Sequence, residues 1–286
     1  MSAFAFALVL LSALTHATWN LLAKRVEGGA PFLWLVYVVS AVLYAPFAAI
    51  VIAAARPDLG LAALGLIVGT GLLHTAYFLL LTAGYRSGDL SLVYPLARAT
   101  GPLLSTVAAI ALLGERPTPL AIAGAVAIVG GALFLTGDPR RLRSQGAGPA
   151  VGYAVGTGVV IAAYTLWDKQ AVSAFLIPPL FYDWARNLVQ TALFTPVAYV
   201  ARDSVARHWR EHRREVLGIA VLSPLSYILV LTALAVSPVS YVAPAREIGI
   251  LIGAAMGAHF LAEGDALRRL SSATAMVLGV VALALG

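Results

Sequence analysis

The sequence predicts an all-α integral membrane protein of ten transmembrane helices, arranged as two inverted five-helix repeats around a central cavity. Three observations carry that expectation. The 286 residues are 60% hydrophobic and only 11% charged, with a mean hydropathy of +0.89, whereas a soluble domain carries roughly 25% charged residues. Apolar runs of about 20 residues, long enough to cross a bilayer as helix, follow one another from Met1 to Gly286. The second half also repeats the polar punctuation of the first.

Charges, prolines and glycines mark the ends of the spans. The first is expected at 3–23, closed by Lys24-Arg25; no basic segment precedes it, so it reads as a retained span rather than a signal core. The second, 31–54, opens on Pro31 and stops before Arg56-Pro57. The third, 59–83, and the fourth, 90–113, are divided by Arg86 and Gly88-Asp89; the fifth, 119–136, follows Gly114-Glu115-Arg116-Pro117. A second set is expected at 150–171, 178–200, 216–236, 240–262 and 270–285. Each run is continuously apolar and rich in Leu and Ala, whereas a barrel strand would alternate over about ten residues. The segment from Arg202 to Glu215 reads as a mixed-charge, largely helical loop at the membrane surface.

The domain expectation is a first repeat over 1–137, a cytoplasmic linker over 138–149 carrying Arg140, Arg141 and Arg143, and a second repeat over 150–286. Tyr77 aligns with Tyr227, Thr82 and Ser87 with Thr232 and Ser237, and Pro95 with Ala97-Arg98 faces Pro244 with Ala245-Arg246. Glu115 corresponds to Glu263, and Lys24 to Lys169. An odd number of spans per repeat makes the second enter the membrane from the opposite side, the inverted architecture of many transporters. If the N-terminus is outside, 13 Lys and Arg fall in cytoplasmic loops and only Arg56, Arg116 and Lys169 on the other side. Basic residues gather on the cytoplasmic side, so both termini are expected outside, on the periplasmic face of an inner membrane. The net charge of +6 is read the same way, and not as a nucleic-acid surface.

With no cysteine, a thiolate metal site, a disulfide and a cysteine nucleophile are excluded. No Walker A, HExxH or paired-aspartate metal pattern occurs, so neither a metal nor a cofactor is expected. The chemistry is expected where ionisable residues lie inside spans, because each is costly there unless it faces the bundle interior. These are His16, His74, Arg98, Asp183, Arg186, Arg246, Glu247 and His259, with Lys24, Asp168 and Lys169 near span ends. His16, Trp19, Asn20 and Lys24 share one helical face, as do Thr70, His74, Tyr77 and Phe78. Tyr164, Thr165, Asp168 and Lys169 occupy the equivalent stretch of the sixth span.

A cavity lined by Trp19, Asn20, His74, Tyr77, Phe78, Tyr94, Arg98, Tyr164, Trp167, Asp168, Tyr227, Tyr241 and Arg246 is therefore expected at the repeat interface. It suits a compact amphipathic metabolite. The fourth and ninth spans each place a proline and then an arginine in the membrane, the pattern of helices broken at binding sites. Arg98 could grip a carboxylate; alternatively Arg98 and Arg246 satisfy freed carbonyls, or Arg246 pairs with Glu247. For proton coupling only Asp168, Asp183 and Glu247 could serve, and so few acids lean towards facilitated diffusion or exchange. Gly124 to Gly131, and Gly249, Gly253 and Gly257, read as faces for close helix packing.

Two five-helix repeats, Trp19-Asn20 with a closing Lys24, the Pro-x-x-Arg ending at Arg98 and the pair Gly114-Glu115 together resemble the EamA type of the drug/metabolite transporter superfamily. The second copy departs from the pattern, with Tyr164-Thr165 and Ala262-Glu263 in the equivalent places. The resemblance implies a ten-helix exporter of metabolites working by alternating access, and the aromatic lining is similar to YddG-type aromatic amino acid exporters of bacterial inner membranes. The expected function is secondary export of amino acids, aromatic ones preferred, with no enzymatic activity. The expected partners are a small-molecule substrate and the bilayer, for a chain acting as a monomer. A lipid or sugar-conjugate carrier is the rival reading, and a membrane-embedded enzyme using His74 with Asp168 a weaker one.

Overall fold

The computed structural model describes residues 1–26, 28–88, 90–136, 148–252 and 266–286, and all regular structure among them is helical. The helices are α1 (Ala3–Ala23), α2 (Ala30–Ala55), α3 (Leu61–Ser87), α4 (Leu90–Leu113), α5 (Pro119–Thr136), α6 (Gly148–Ser173), α7 (Pro179–Val200), α8 (Arg202–Glu211), α9 (Arg213–Val236), α10 (Val239–Ala245) and α11 (Ala266–Leu285). The linker arginines, Gly253, Gly257, His259 and Glu263 lie outside the described residues.

Six of these helices are long and apolar enough to cross a membrane: α1, α2, α3, α4, α6 and α9. Two more, in α5 and α11, are apolar but shorter. The remaining two expected spans differ for physical reasons. The seventh, α7, carries Asp183, Arg186, Asn187 and Gln190 buried within it, so its interior face is too polar to read as a span. The ninth begins as α10, turns at Arg246-Glu247 and resumes as helix over 248–252.

The helices pack in pairs that cross the chain's midpoint: α1 against α9, α3 and α4 against α6, α2 against α7, and α5 against α11. The proline inside α9 is matched by a donor from the neighbouring helix. Pro224 in α9 cannot donate to Ala220, and the freed Ala220 carbonyl accepts from the Ser40 hydroxyl of α2 at 3.0 Å. The hydroxyls of Ser12 and Ser226 each donate to the other's carbonyl, at 2.8 and 3.1 Å, and tie α1 to α9. Trp184 of α7 donates its indole N–H to the Ala41 carbonyl of α2. In the α5–α11 contact a Cβ added at Gly124 would lie 2.6 Å from the Gly279 carbonyl. The expected packing role of that glycine thus has its physical reason in close backbone approach.

α8 is a separate surface helix, broken from α9 at His212, so α9 starts three residues before the expected 216. Besides its chain neighbours α7 and α9 it packs against α2.

Candidate functional site

The polar centre of the bundle is built by α3, α4, α6, α7, α9 and α10. Tyr164 of α6 stands in its middle. The His74 imidazole of α3 stacks on it at 4.2 Å, and Tyr77, one helical turn on, meets it edge-on at 6.2 Å. Tyr227 of α9 completes the wall, edge-on to His74 at 5.1 Å and to Tyr164 at 6.5 Å. His74 Nδ1 is held by the Thr70 carbonyl one turn back, so the ring's orientation is set by its own helix.

Two guanidiniums lie over the Tyr227 ring, Arg186 at 5.1 Å and Arg246 at 5.7 Å from its centroid, a cation–π arrangement strengthened by burial. Arg186 is committed elsewhere as well, to Asp183 one turn before it and to Gln190 one turn after, and Gln190 reaches Tyr37 of α2. Arg98 of α4 pairs with Glu247 at 3.0 Å. Glu247 was expected beside Arg246 if it was paired at all; the turn after α10 aims the carboxylate across to α4 instead. Arg246 makes no ion pair among the described residues.

Asp168 is fully buried. Tyr182 of α7 donates to its Oδ1 at 2.8 Å, and Tyr227 donates to its Oδ2. One carboxylate thereby joins α6, α7 and α9.

Between α4, α6 and α10 lies a small enclosed cavity walled by Arg98, Tyr164, Arg246 and Glu247 over Pro102 and Ile161. Its volume is ≈ 10 Å³, room for about one water. Arg98 Nε and Glu247 Oε2 are buried at this spot without a hydrogen-bond partner among the described residues. Beyond it, where α4, α6 and α9 end, opens a vestibule of ≈ 600 Å³ containing Glu115, Lys169, Gln170 and Ser173. Glu115 caps the start of α10, accepting from Val239 N at 2.7 Å and Ser240 N at 2.9 Å. Lys169 caps the end of α9, donating to the carbonyls of Leu234 and Ser237.

Of the residues expected to line a cavity, His74, Tyr77, Arg98, Tyr164, Asp168, Tyr227 and Arg246 come together. Phe78 stands beside them but packs edge-on against Phe194 of α7, and Tyr94 is half-buried on α4. Four lie elsewhere. Trp19 packs edge-on against His16 and belongs to the α1–α2–α9 cluster, and Asn20 donates back to the His16 carbonyl. Trp167 is 40% exposed, lying over Gly69 with its indole on the Leu66 carbonyl. Tyr241 ties Thr118 to Gly286 near the chain's end. The set omitted Glu247, Arg186, Gln190 and Tyr182; polar residues at 183, 186, 187 and 190, spaced as one helical face of an otherwise apolar span, were the available signal.

A bundle of apolar helices, six of them long and apolar enough to cross a membrane, closed around paired charges, stacked aromatics and a small polar cavity, has the architecture of a polytopic membrane protein. Residues 3–137, just under half of the 286, match the EamA-like transporter family. No curated protein matches the chain. Twenty-nine chains of known structure do. One crystal structure superposes with a TM-score of 0.75 at 15% identity, over 100% of this chain and 98% of the other; at that identity the likeness shows the fold.

Proposed function

We propose that the whole chain is an EamA-type secondary transporter of the inner membrane, two inverted five-helix repeats over 1–137 and 150–286 joined by a cytoplasmic linker, and that it exports amino acids, aromatic ones preferred. The repeat reading is supported by the packing: exchanging the halves turns the α1–α9 pair into α6–α3, and leaves α2–α7 and α5–α11 unchanged. The loop charges support termini on the periplasmic side.

The observation that carries the substrate assignment is the cavity wall. Arg98 Nε and the Arg246 guanidinium, which has no ion pair among the described residues, offer donors, Glu247 Oε2 offers an acceptor, and Tyr164 with His74 and Tyr77 supplies an aromatic face. A zwitterion complements that set: carboxylate to the guanidiniums, ammonium to Glu247, and a ring against the tyrosines. A cavity of one water's size is the sealed state; an amino acid enters when the helix ends around the vestibule part, with the turn at Arg246-Glu247 as the natural pivot.

Uptake of radiolabelled amino acids into proteoliposomes tests this. Saturable uptake of L-tryptophan and L-phenylalanine is expected, lost in Arg246→Ala protein that still elutes as a monodisperse peak. Absence of uptake across the amino acid set, or uptake untouched by the substitution, removes the assignment.

A further inference from the structure

Three buried acids lie in the membrane-spanning part of the described structure: Asp168, Asp183 and Glu247. Asp183 is tied to Arg186 and Glu247 to Arg98. Gaining a proton in either would leave a guanidinium buried without its counter-ion, which is strongly unfavourable. Asp168 differs. Among the described residues no Lys, Arg or His forms an ion pair with it, and its two oxygens are held by neutral hydroxyls. Neutralising it leaves no orphaned cation.

The groups around Asp168 are few. On its own helix α6 are Tyr164 and Lys169, the latter turned away to cap α9. α3 brings His74, which touches Tyr164 and Tyr227; α7 brings Tyr182 and the Asp183–Arg186 pair; α9 brings Tyr227. α4 contributes Arg98, neutralised by Glu247, and α10 leads into Arg246, which reaches this group through the Tyr227 ring.

We propose that Asp168 is a proton-binding site coupled to substrate through Tyr227 and Arg246, so that the protein exchanges substrate against protons. Ionised Asp168 accepts from both tyrosine hydroxyls and fixes Tyr227; the fixed ring carries the Arg246 guanidinium at the cavity wall. A protonated carboxyl has one weaker acceptor oxygen and a donor of its own, so it no longer holds both hydroxyls, and Tyr227 with Arg246 loses its setting. Substrate thus binds best when the proton has left. A zwitterion adds no net charge, so this organisation of the site, rather than direct repulsion, sets the sign. Linkage is reciprocal: if protonation weakens substrate binding, substrate binding expels the proton, with couplings in proteins typically about 5–150-fold. The proton passes to solution when the bundle opens; no bond other than O–H is made or broken.

This inference rests on the amino acid reading above, and the test separates the two. Detergent-solubilised wild-type protein in weakly buffered solution is mixed with L-tryptophan while radioligand binding and released protons are measured in parallel. Binding accompanied by proton release is expected, with affinity falling about tenfold as pH drops through the acid range, an effect of the usual allosteric size. Asp168→Asn should give a flat pH profile and no release, whatever its absolute affinity. Tyr227→Phe keeps the carboxylate but cuts the link, so L-tryptophan should no longer evoke release. Binding of L-tryptophan without proton release from the wild type overturns the coupling and leaves the substrate reading standing. Release that persists in Asp168→Asn assigns the proton elsewhere and also overturns it. No binding at all removes both.

Discussion

The fourth helix and the broken ninth span carry the same short pattern, a proline followed by an arginine within the membrane, yet the bundle uses them differently. α4 runs unbroken through Pro95 and Arg98 to Leu113, and its arginine is matched by a carboxylate from the opposite half. α10 stops one residue after Pro244. The chain tightens there through bonds from Glu247 N to Pro244 O and from Gly249 N to Arg246 O, three residues apart instead of four, as in a 3₁₀ turn. Its arginine forms no ion pair among the described residues and rests on Tyr227. The difference teaches that the pattern fixes where a helix can yield, while the neighbours decide whether it does. α10 is seven residues long and held at its start by Glu115, so its continuation can turn and deliver Glu247 to α4.

The largest effect should come from breaking the ion pair that links α4 to the turn after α10. Arg98→Ala leaves Glu247 charged and unpaired in a buried place, a loss of about 3–5 kcal/mol for such pairs, visible as a lower unfolding temperature in detergent. Arg246→Ala removes a cation–π contact of about 0.5–2 kcal/mol and should shift unfolding far less while still abolishing transport. The double substitution Arg98→Met with Glu247→Leu should restore most of the stability, because replacing a buried pair by apolar residues of similar size is often neutral, with transport still absent. Equal destabilisation by Arg98→Ala and Arg246→Ala would erase the distinction between the helices.

Next in size is the cap that belongs to α10. Glu115 accepts from two N–H groups at the helix start, where a negative charge also meets the positive end of the helix dipole. Glu115→Ala should lower stability by about 0.5–2 kcal/mol, the range for lost N-caps. Glu115→Gln, which keeps an acceptor but not the charge, should lose less. If unfolding is unchanged by both, α10 is held by its packing alone.

Much of this was legible in the sequence. Helix positions followed from apolar run length and from Gly, Pro and charge punctuation, and α4 and α5 fall where those signals put them. The residues that stack around Tyr164 are legible because an ionisable group such as His74 inside a span is too costly to face lipid, and the aromatic residues at helical spacing share its face. Partner choice was not legible. That Glu247 reaches Arg98, 149 positions away, rather than its neighbour Arg246 depends on the turn after α10, which no local spacing encodes. Trp167 and Asp168 illustrate the same limit: adjacent in sequence, one packs outward over Gly69 and the other is wholly enclosed, because on a helix neighbouring side chains point about 100° apart.

The smallest effect is expected at α8, away from both proline helices, where it calibrates the rest. His208 is half-buried on α8 with its ring edge-on to Phe32 of α2 at 5.5 Å. Burial, reinforced by the nearby His212 and Arg207 and opposed by Glu211, holds its pKa below the ordinary histidine range. A histidine whose pKa is depressed by folding stabilises the docked state in its neutral form. That contribution is present above the unfolded value of about 6.5 and is lost as pH falls through the lower folded value. Acidification should therefore raise hydrogen exchange over 202–211 without moving the exchange of α4 or α10. His208→Leu, which keeps the contact with Phe32 and removes the titration, should make α8 exchange independent of pH beyond the intrinsic chemical rate. If α4 and α10 loosen along with α8 over the same pH range, the surface helix is coupled to the core, and the contrast between the two proline helices has to be measured at a single fixed pH.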